Sequence, residues 1–230
     1  MKIGVFDSGI GGLTVLKEII KKYPHNEYIY FGDTANLPYG NKSKEELNKF
    51  FNRIISFFEE KKVDIIIAAC GTVSTTLKKE LDEKGIIDVI TPTINYVNNN
   101  YNKVGLIATD ATIKSNYFQN HIKVELKFLN TPLLVPMIES SIIDLKVIND
   151  YMKYFSDIEV LILGCTHYPL IEEYIDFKVI NMGTILTNSI NFTNDSTYSL
   201  KLYFSKMSDS LIKNVNQILE CDYEMEEYNA

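Results

Sequence analysis

Residues 159–170, EVLILGCTHYPL, constrain the fold of this chain of 230 residues more than any other stretch. Residues 160–163 form a short, wholly apolar run. Gly164 ends it, Cys165, Thr166 and His167 follow, and Pro169 comes just after. An apolar run of that length, bounded by turn formers, predicts a parallel strand buried on both faces, then a tight turn and a helix start with a thiol at the turn. Residues 64–76, DIIIAACGTVSTT, have the same build and place Cys70 at the equivalent point. Two thiols at the tips of two similar strands predict two halves facing one site.

The chain around these stretches alternates between strand and helix signals. Residues 2–6 read as a strand, followed by the glycine-rich turn Asp7-Ser8-Gly9-Ile10-Gly11-Gly12 and a helix over 13–23 with Leu13, Leu16, Ile19, Ile20 and Tyr23 at helical spacing. That turn matches neither the dinucleotide fingerprint nor the P-loop. Residues 27–31 are a second strand, leading into a loop through Leu37-Pro38-Tyr39-Gly40. A helix is expected over 43–61, opened by a capping box of Ser43 and Glu46. Residues 63–69 form the strand before Cys70, 72–84 a helix stopped by Gly85, and 86–90 a strand closed by Pro92.

A second series starts at 103–108, KVGLIA, which repeats the opening KIGVF pattern. It continues with a helix at 112–121, a strand at 124–129, an extended segment at 132–139 and a helix at 142–155 before the second thiol strand. The expected fold is α/β, with two similar doubly wound lobes built on parallel sheets and an active site in the cleft between them. One lobe comprises 1–92 plus 187–230 and the other 93–186. In the tail, 177–182 and 200–204 read as strands, 187–199 as a polar loop, 211–219 as a helix and 222–230 as a frayed acidic end.

A net charge of −7 argues against a general nucleic-acid binder, and no apolar run approaches the roughly 20 residues that span a bilayer. The N-terminus lacks the pattern of a signal peptide, so a cytoplasmic protein is expected. The three cysteines, Cys70, Cys165 and Cys221, lie far apart, which argues against a disulfide framework or a zinc site. Cys221 has no chemical context and reads as structural or surface. His25 and His121 read as exposed helix-end positions.

A thiol works chiefly as thiolate, which a helix N-terminus or a neighbouring imidazolium favours. Cys165 has both a helix start and His167 nearby, and Cys70 sits at a helix start. One thiolate could act as the nucleophile of a Cys–His hydrolase. Alternatively, one thiol could remove a proton from a carbon while the other returns a proton to its opposite face. An α-amino acid held between them would be anchored by backbone N–H groups and the hydroxyls of Ser8, Thr72, Thr109, Thr112 and Thr166. A single cysteine at a strand end is more often packing; two in matched contexts shift the balance to function. On these grounds alone, Asp7 could be a buried partner of the glycine turn, and Glu139 a solvated acid.

The pieces IGVFDSGIGGLTVL, YFGDTANLPYG, AACGTVS, IATDATIKS, PLLVPMIE and LILGCTHYPL together resemble the glutamate racemases of the cofactor-independent aspartate/glutamate racemase superfamily, in family order over residues 1–170. The resemblance implies an isomerase that needs no cofactor, takes a small amino acid, and supplies D-glutamate for peptidoglycan and cell-wall synthesis. It implies Cys70 and Cys165 as the two acid–base groups, assisted by Asp7, His167 and Glu139. It implies substrate contacts from Ser8, Tyr39, Gly40, Thr72, Thr109, Thr112 and Thr166, with Pro38 shaping the loop. No nucleic-acid or membrane partner is implied, and homodimer formation is left open.

Three departures stand out. The family's C-N-T is Cys70-Gly71-Thr72 here, so Gly71 occupies a substrate-contacting position without its amide. The family's E-P-G is Thr91-Pro92-Thr93, and its D-S-G-E is Asn181-Met182-Gly183-Thr184. The other readings are a racemase of another acidic amino acid, such as aspartate, and a non-catalytic amino-acid-binding paralogue.

Overall fold

The apolar runs become strands in a computed structural model, which describes residues 1–193 and 197–228. The strands are β1 (Lys2–Asp7), β2 (Glu27–Gly32), β3 (Ile65–Ala68), β4 (Ile87–Asp88), β5 (Lys103–Ala108), β6 (Glu125–Asn130), β7 (Val160–Leu163), β8 (Val179–Asn181), β9 (Ser199–Phe204) and β10 (Glu224–Glu227). The helices are α1 (Gly12–Lys22), α2 (Lys44–Lys61), α3 (Gly71–Thr76), α4 (Lys78–Glu83), α5 (Ile90–Asn100), α6 (Asp110–Lys114), α7 (Tyr117–His121), α8 (Leu134–Glu139), α9 (Leu145–Met152), α10 (Met182–Ser189) and α11 (Asp209–Ile218). Two sheets result, ordered β10-β9-β2-β1-β3-β4 and β6-β5-β7-β8, with every pairing parallel. The two-sheet α/β expectation is met.

Side chains alternate across a strand, so each sheet feeds two cores. Ile3 and Val5 of β1, Val104 and Leu106 of β5, and Val160 and Ile162 of β7 all enter one shared core. That core lies between the sheets and takes in Leu13, Leu16 and Ile19 of α1, Ile94 and Val97 of α5, and Leu186 of α10. The opposite face of the first sheet packs Phe6 and Phe31 against Phe51, Ile54 and Phe58 of α2. The opposite face of the second packs Ile107, Leu161 and Leu163 against Ile138, Ile148 and Tyr168. The chain returns from the second sheet through α10, which packs on α1 and α5, and the expected lobe boundary at 186/187 falls inside that helix. Ser43 and Glu46 form the expected capping box on α2. Among the described residues no helix is long and apolar enough to cross a membrane.

Several local expectations are corrected. Residues 86–90 supply only the short β4, and Pro92 lies in the first turn of α5 rather than closing a strand. The Asp88 carboxylate accepts from the N–H groups of Ile90 and Thr91, so α5 is capped just where a proline costs no hydrogen bond. The same tolerance lets Pro136 sit in the first turn of α8, so 134–139 is helical where 132–139 was expected to be extended. Residues 72–84 make two helices, α3 and α4, meeting at Leu77; the β-branched run Thr72, Val73, Thr75, Thr76 is a poor helix former. Residues 112–121 also split, at Asn116 in the left-handed conformation with φ of 56°.

The helix α10 takes up 187–189 of the expected polar loop, whose residues 194–196 lie outside the described ones. The acidic end is not frayed over 224–228: β10 extends the first sheet, and residues 229–230 lie outside the described ones. There the Tyr228 ring meets Phe57 edge-on at 4.7 Å and Phe31 at 6.2 Å between ring centroids. Tyr228→Ala is therefore expected to lower stability by roughly 1–2 kcal/mol, through lost aromatic pairing and apolar burial, in urea unfolding followed by circular dichroism.

Candidate active site

Parallel strands bring the loops at their carboxyl ends to one side of a sheet, and ligands sit there in folds of this class. Here the loops after β1, β2, β3, β5, β6 and β7 enclose a cavity of about 130 Å³. A single water needs only ~10–15 Å³ of such space, so the cavity suits a small organic molecule. Ser8, Pro38, Tyr39, Gly40, Cys70, Gly71, Thr72, Thr109, Cys165, Thr166 and His167 line it.

Asp7, Glu139 and Thr112 stand behind that lining. Asp7 is fully buried; one oxygen accepts from the N–H groups of Gly9 (3.2 Å) and Gly12 (3.0 Å), and the other from the Thr166 hydroxyl (3.3 Å). It thus holds the glycine turn and ties it to the opposite lobe. Tyr30 completes that anchoring by donating to the Gly9 carbonyl at 2.6 Å. Thr112 is also fully buried and bonds the Thr109 hydroxyl at 3.0 Å, which in turn lies 3.0 Å from the Thr72 hydroxyl across the cleft.

The two thiols have different surroundings. Cys70 is the N-cap residue of α3 without a side-chain capping bond, and the N–H groups of Val73 and Thr72 at the helix start favour its thiolate. Burial nevertheless pushes the thiol well above its usual pKa, and the negative charge of Asp7 adds to the rise, so Cys70 rests protonated. Cys165 lies 3.7 Å from His167 Nδ1, and His167 Nε2 lies 2.5 Å from Glu139 Oε1. Burial works against an imidazolium at His167. The hydrogen bonds to Cys165 and Glu139 outweigh it and hold His167 well above the usual histidine value. Glu139, His167 and Cys165 therefore form a chain along which a proton can be held or passed.

Gly71 has a geometric reason. A Cβ added there would lie 2.8 Å from the carbonyl oxygen of Gly164, the residue before Cys165. The backbone that follows one thiol thus rests on the backbone that precedes the other, so the missing side chain leaves a close lobe contact rather than extra room.

Leu37, Asn41, Asp110, Thr131, Pro132, Val135 and Pro136 also line the cavity and were missed in the sequence. Thr131 and Pro132 follow directly on β6, and position at a strand's carboxyl end was the available signal. Cys221 is half-buried away from the cavity, and His25 and His121 are exposed. Among the described residues no Lys or Arg lines the cavity, so an anion there would be met by hydroxyls, N–H groups and the His167 imidazolium. Among the described residues, no group of three His, Cys, Asp or Glu side chains is placed to share a metal ion.

No protein-family model matches the chain. The chain is 36% identical over 239 residues to the glutamate racemase of Aquifex aeolicus, covering 95% of this chain and 94% of that one. It is 38% identical over 244 residues to the Aquifex pyrophilus enzyme, covering 97% and 96%. The crystal structure of the Francisella tularensis glutamate racemase in complex with D-glutamate superposes with a TM-score of 0.86 at 35% identity, over 98% of this chain and 95% of that one.

Two outcomes follow from the geometry. Gly71→Ala should push the lobes apart, so that the buried Cys70 reacts several-fold faster with iodoacetamide; an unchanged rate would mean that the Gly164 carbonyl swings aside instead. Glu139→Gln removes a carboxylate that favours the imidazolium, so the His167 titration followed by ¹⁵N NMR should move to lower pH.

Proposed function

Because the chain belongs to the glutamate racemase family, we propose that Cys70 and Cys165 are the acid–base pair that inverts the α-carbon of glutamate. The enzyme is an isomerase, an amino-acid racemase of glutamate. The observation that supports the two-thiol reading is that both sulfur-bearing residues line one cavity from opposite lobes.

In one direction Cys165, as thiolate beside the His167 imidazolium, takes the α-proton. The C–H electron pair stays on the α-carbon and spreads into the α-carboxylate. The Cys70 S–H then gives its proton to the opposite face, leaving a thiolate that the Thr72 and Val73 N–H groups stabilise. One S–H and one C–H bond form as one of each breaks, so no electrons are gained or lost. In the reverse direction the thiols exchange roles. The difference between their environments supports this assignment, since a base and an acid are both needed before substrate arrives.

Ser8, Thr72, Thr109 and Thr166 present hydroxyls to the substrate, and the Thr72–Thr109 pair opens to accept a carboxylate oxygen. Tyr39 and Gly40, shaped by Pro38, close the far wall. Asp7 and Glu139 act through their partners, Asp7 by fixing the glycine turn and Thr166, Glu139 by fixing His167. Thr112 supports Thr109. The two lobes, 1–92 with 187–230 and 93–186, are the halves that close on the ligand. The D-glutamate formed is assigned to peptidoglycan precursors, on the family resemblance.

The test is α-deuterium uptake by L- and D-glutamate in D₂O, with L-aspartate beside them. Wild-type protein should label both glutamate enantiomers and leave aspartate largely unlabelled. Cys70→Ser should abolish racemisation while allowing exchange of the enantiomer whose α-proton faces Cys165. Normal racemisation by that variant would defeat the two-thiol assignment.

A further inference from the structure

The loop that carries Pro38, Tyr39 and Gly40 is held from below by a carboxylate the chemistry does not use. Asp33, just past β2, is fully buried. Its Oδ1 accepts from Arg53 Nη2 (2.7 Å), Ser205 Oγ (2.8 Å) and Asn36 Nδ2 (3.0 Å). Its Oδ2 accepts from Tyr39 Oη (2.6 Å) and from Asn36 Nδ2 (3.0 Å). A buried charge persists only when paired and fully hydrogen-bonded, and here Arg53 supplies the countercharge. Burial, followed by the Asp33 charge, raises the Tyr39 phenol far above its usual pKa, so Tyr39 is always the donor in its bond.

The same loop is stitched to the end of β9. Ser205 N–H donates to the Gly32 carbonyl at 3.0 Å, and Ala35 N–H donates to Ser205 Oγ at 2.9 Å. Thr34 and Lys206 bond reciprocally: the Thr34 hydroxyl donates to the Lys206 carbonyl at 2.5 Å and accepts from its N–H at 3.0 Å. Residues 170 and more apart in sequence thus fix the base of a loop whose tip, Pro38-Tyr39-Gly40-Asn41, lines the cavity.

We propose that Asp33, Thr34 and Ser205 are positioning residues that hold the 38–41 loop against the substrate, so that the C-terminal part of the chain sets the affinity for the amino acid. For the identity of the substrate this rests on the racemase reading. These side chains do not line the cavity, so they act on binding through Tyr39 and its neighbours and leave the thiols in place.

The test compares Ser205→Ala, Thr34→Val and Thr34→Ser. The first two delete hydrogen bonds of the clamp; the third keeps the hydroxyl. Ser205→Ala and Thr34→Val should each raise the KM for glutamate roughly 3- to 10-fold, the worth of one ordinary hydrogen bond, with kcat within about twofold. Thr34→Ser should behave like wild type. In ligand-free protein, amide hydrogen exchange over residues 34–41 should quicken in Ser205→Ala and Thr34→Val while exchange in the 109–115 segment stays as in wild type. Unchanged KM with unchanged exchange overturns the proposal, as does a fall in kcat at constant KM. A wild-type protein that fails to turn over glutamate defeats the racemase reading instead, and the exchange measurement then decides the clamp alone.

Discussion

All the strand pairings in both sheets are parallel, and that single constraint places the chemistry. A parallel sheet needs a crossover between neighbouring strands, so all the loops at its carboxyl edge belong to different units of the chain. Two such edges that meet bring together residues from six separate loops without any of them being near in sequence. The shared core between the sheets fixes their spacing, and the hydrogen bonds of Asp7 with Thr166 and of Thr72 with Thr109 register one edge on the other. Gly71 and Gly164, with no side chain between them, set how close the two thiol-bearing loops come.

The two halves are alike in topology and unlike in electrostatics. Cys70 sits among dehydrated surroundings with a carboxylate behind it, which keeps its proton on. Cys165 faces an imidazole whose other nitrogen is held by a carboxylate. Among the described residues no Lys or Arg lines the cavity, so an anion there meets hydroxyl and N–H dipoles and the His167 imidazole.

Much of this was legible in the residues. The apolar runs before Cys70 and Cys165, and the repeated glycine in KIGVF and KVGLIA, marked the central strands because burial on both faces leaves no polar position. The capping box of α2 was readable because it is local. Pro92 and Pro136 misled for one reason: a proline in the first turn of a helix looks, in sequence, like a stop. β10 was hidden because Glu224, Glu226 and Glu227 have little strand propensity, and only pairing with β9 makes them a strand. In the site, the thiols and His167 announced themselves by local spacing. Thr131, Asn41 and the Asp33 clamp did not, since their meaning comes from partners that the fold brings from elsewhere.

The place of β9 has a consequence for how the molecule is made. It lies between β2 and β10, beside a strand synthesised some 170 residues earlier. Until β9 has left the ribosome, β2 presents an open edge, and the base of the 33–41 loop lacks the groups that fasten it. The second sheet is complete by Asn181, so it can form on the nascent chain while the first waits. A message cut short near its 3′ end would therefore yield a product with Cys70, Cys165 and every other cavity-lining residue, yet with an unfinished sheet, a candidate for degradation rather than a weakened enzyme.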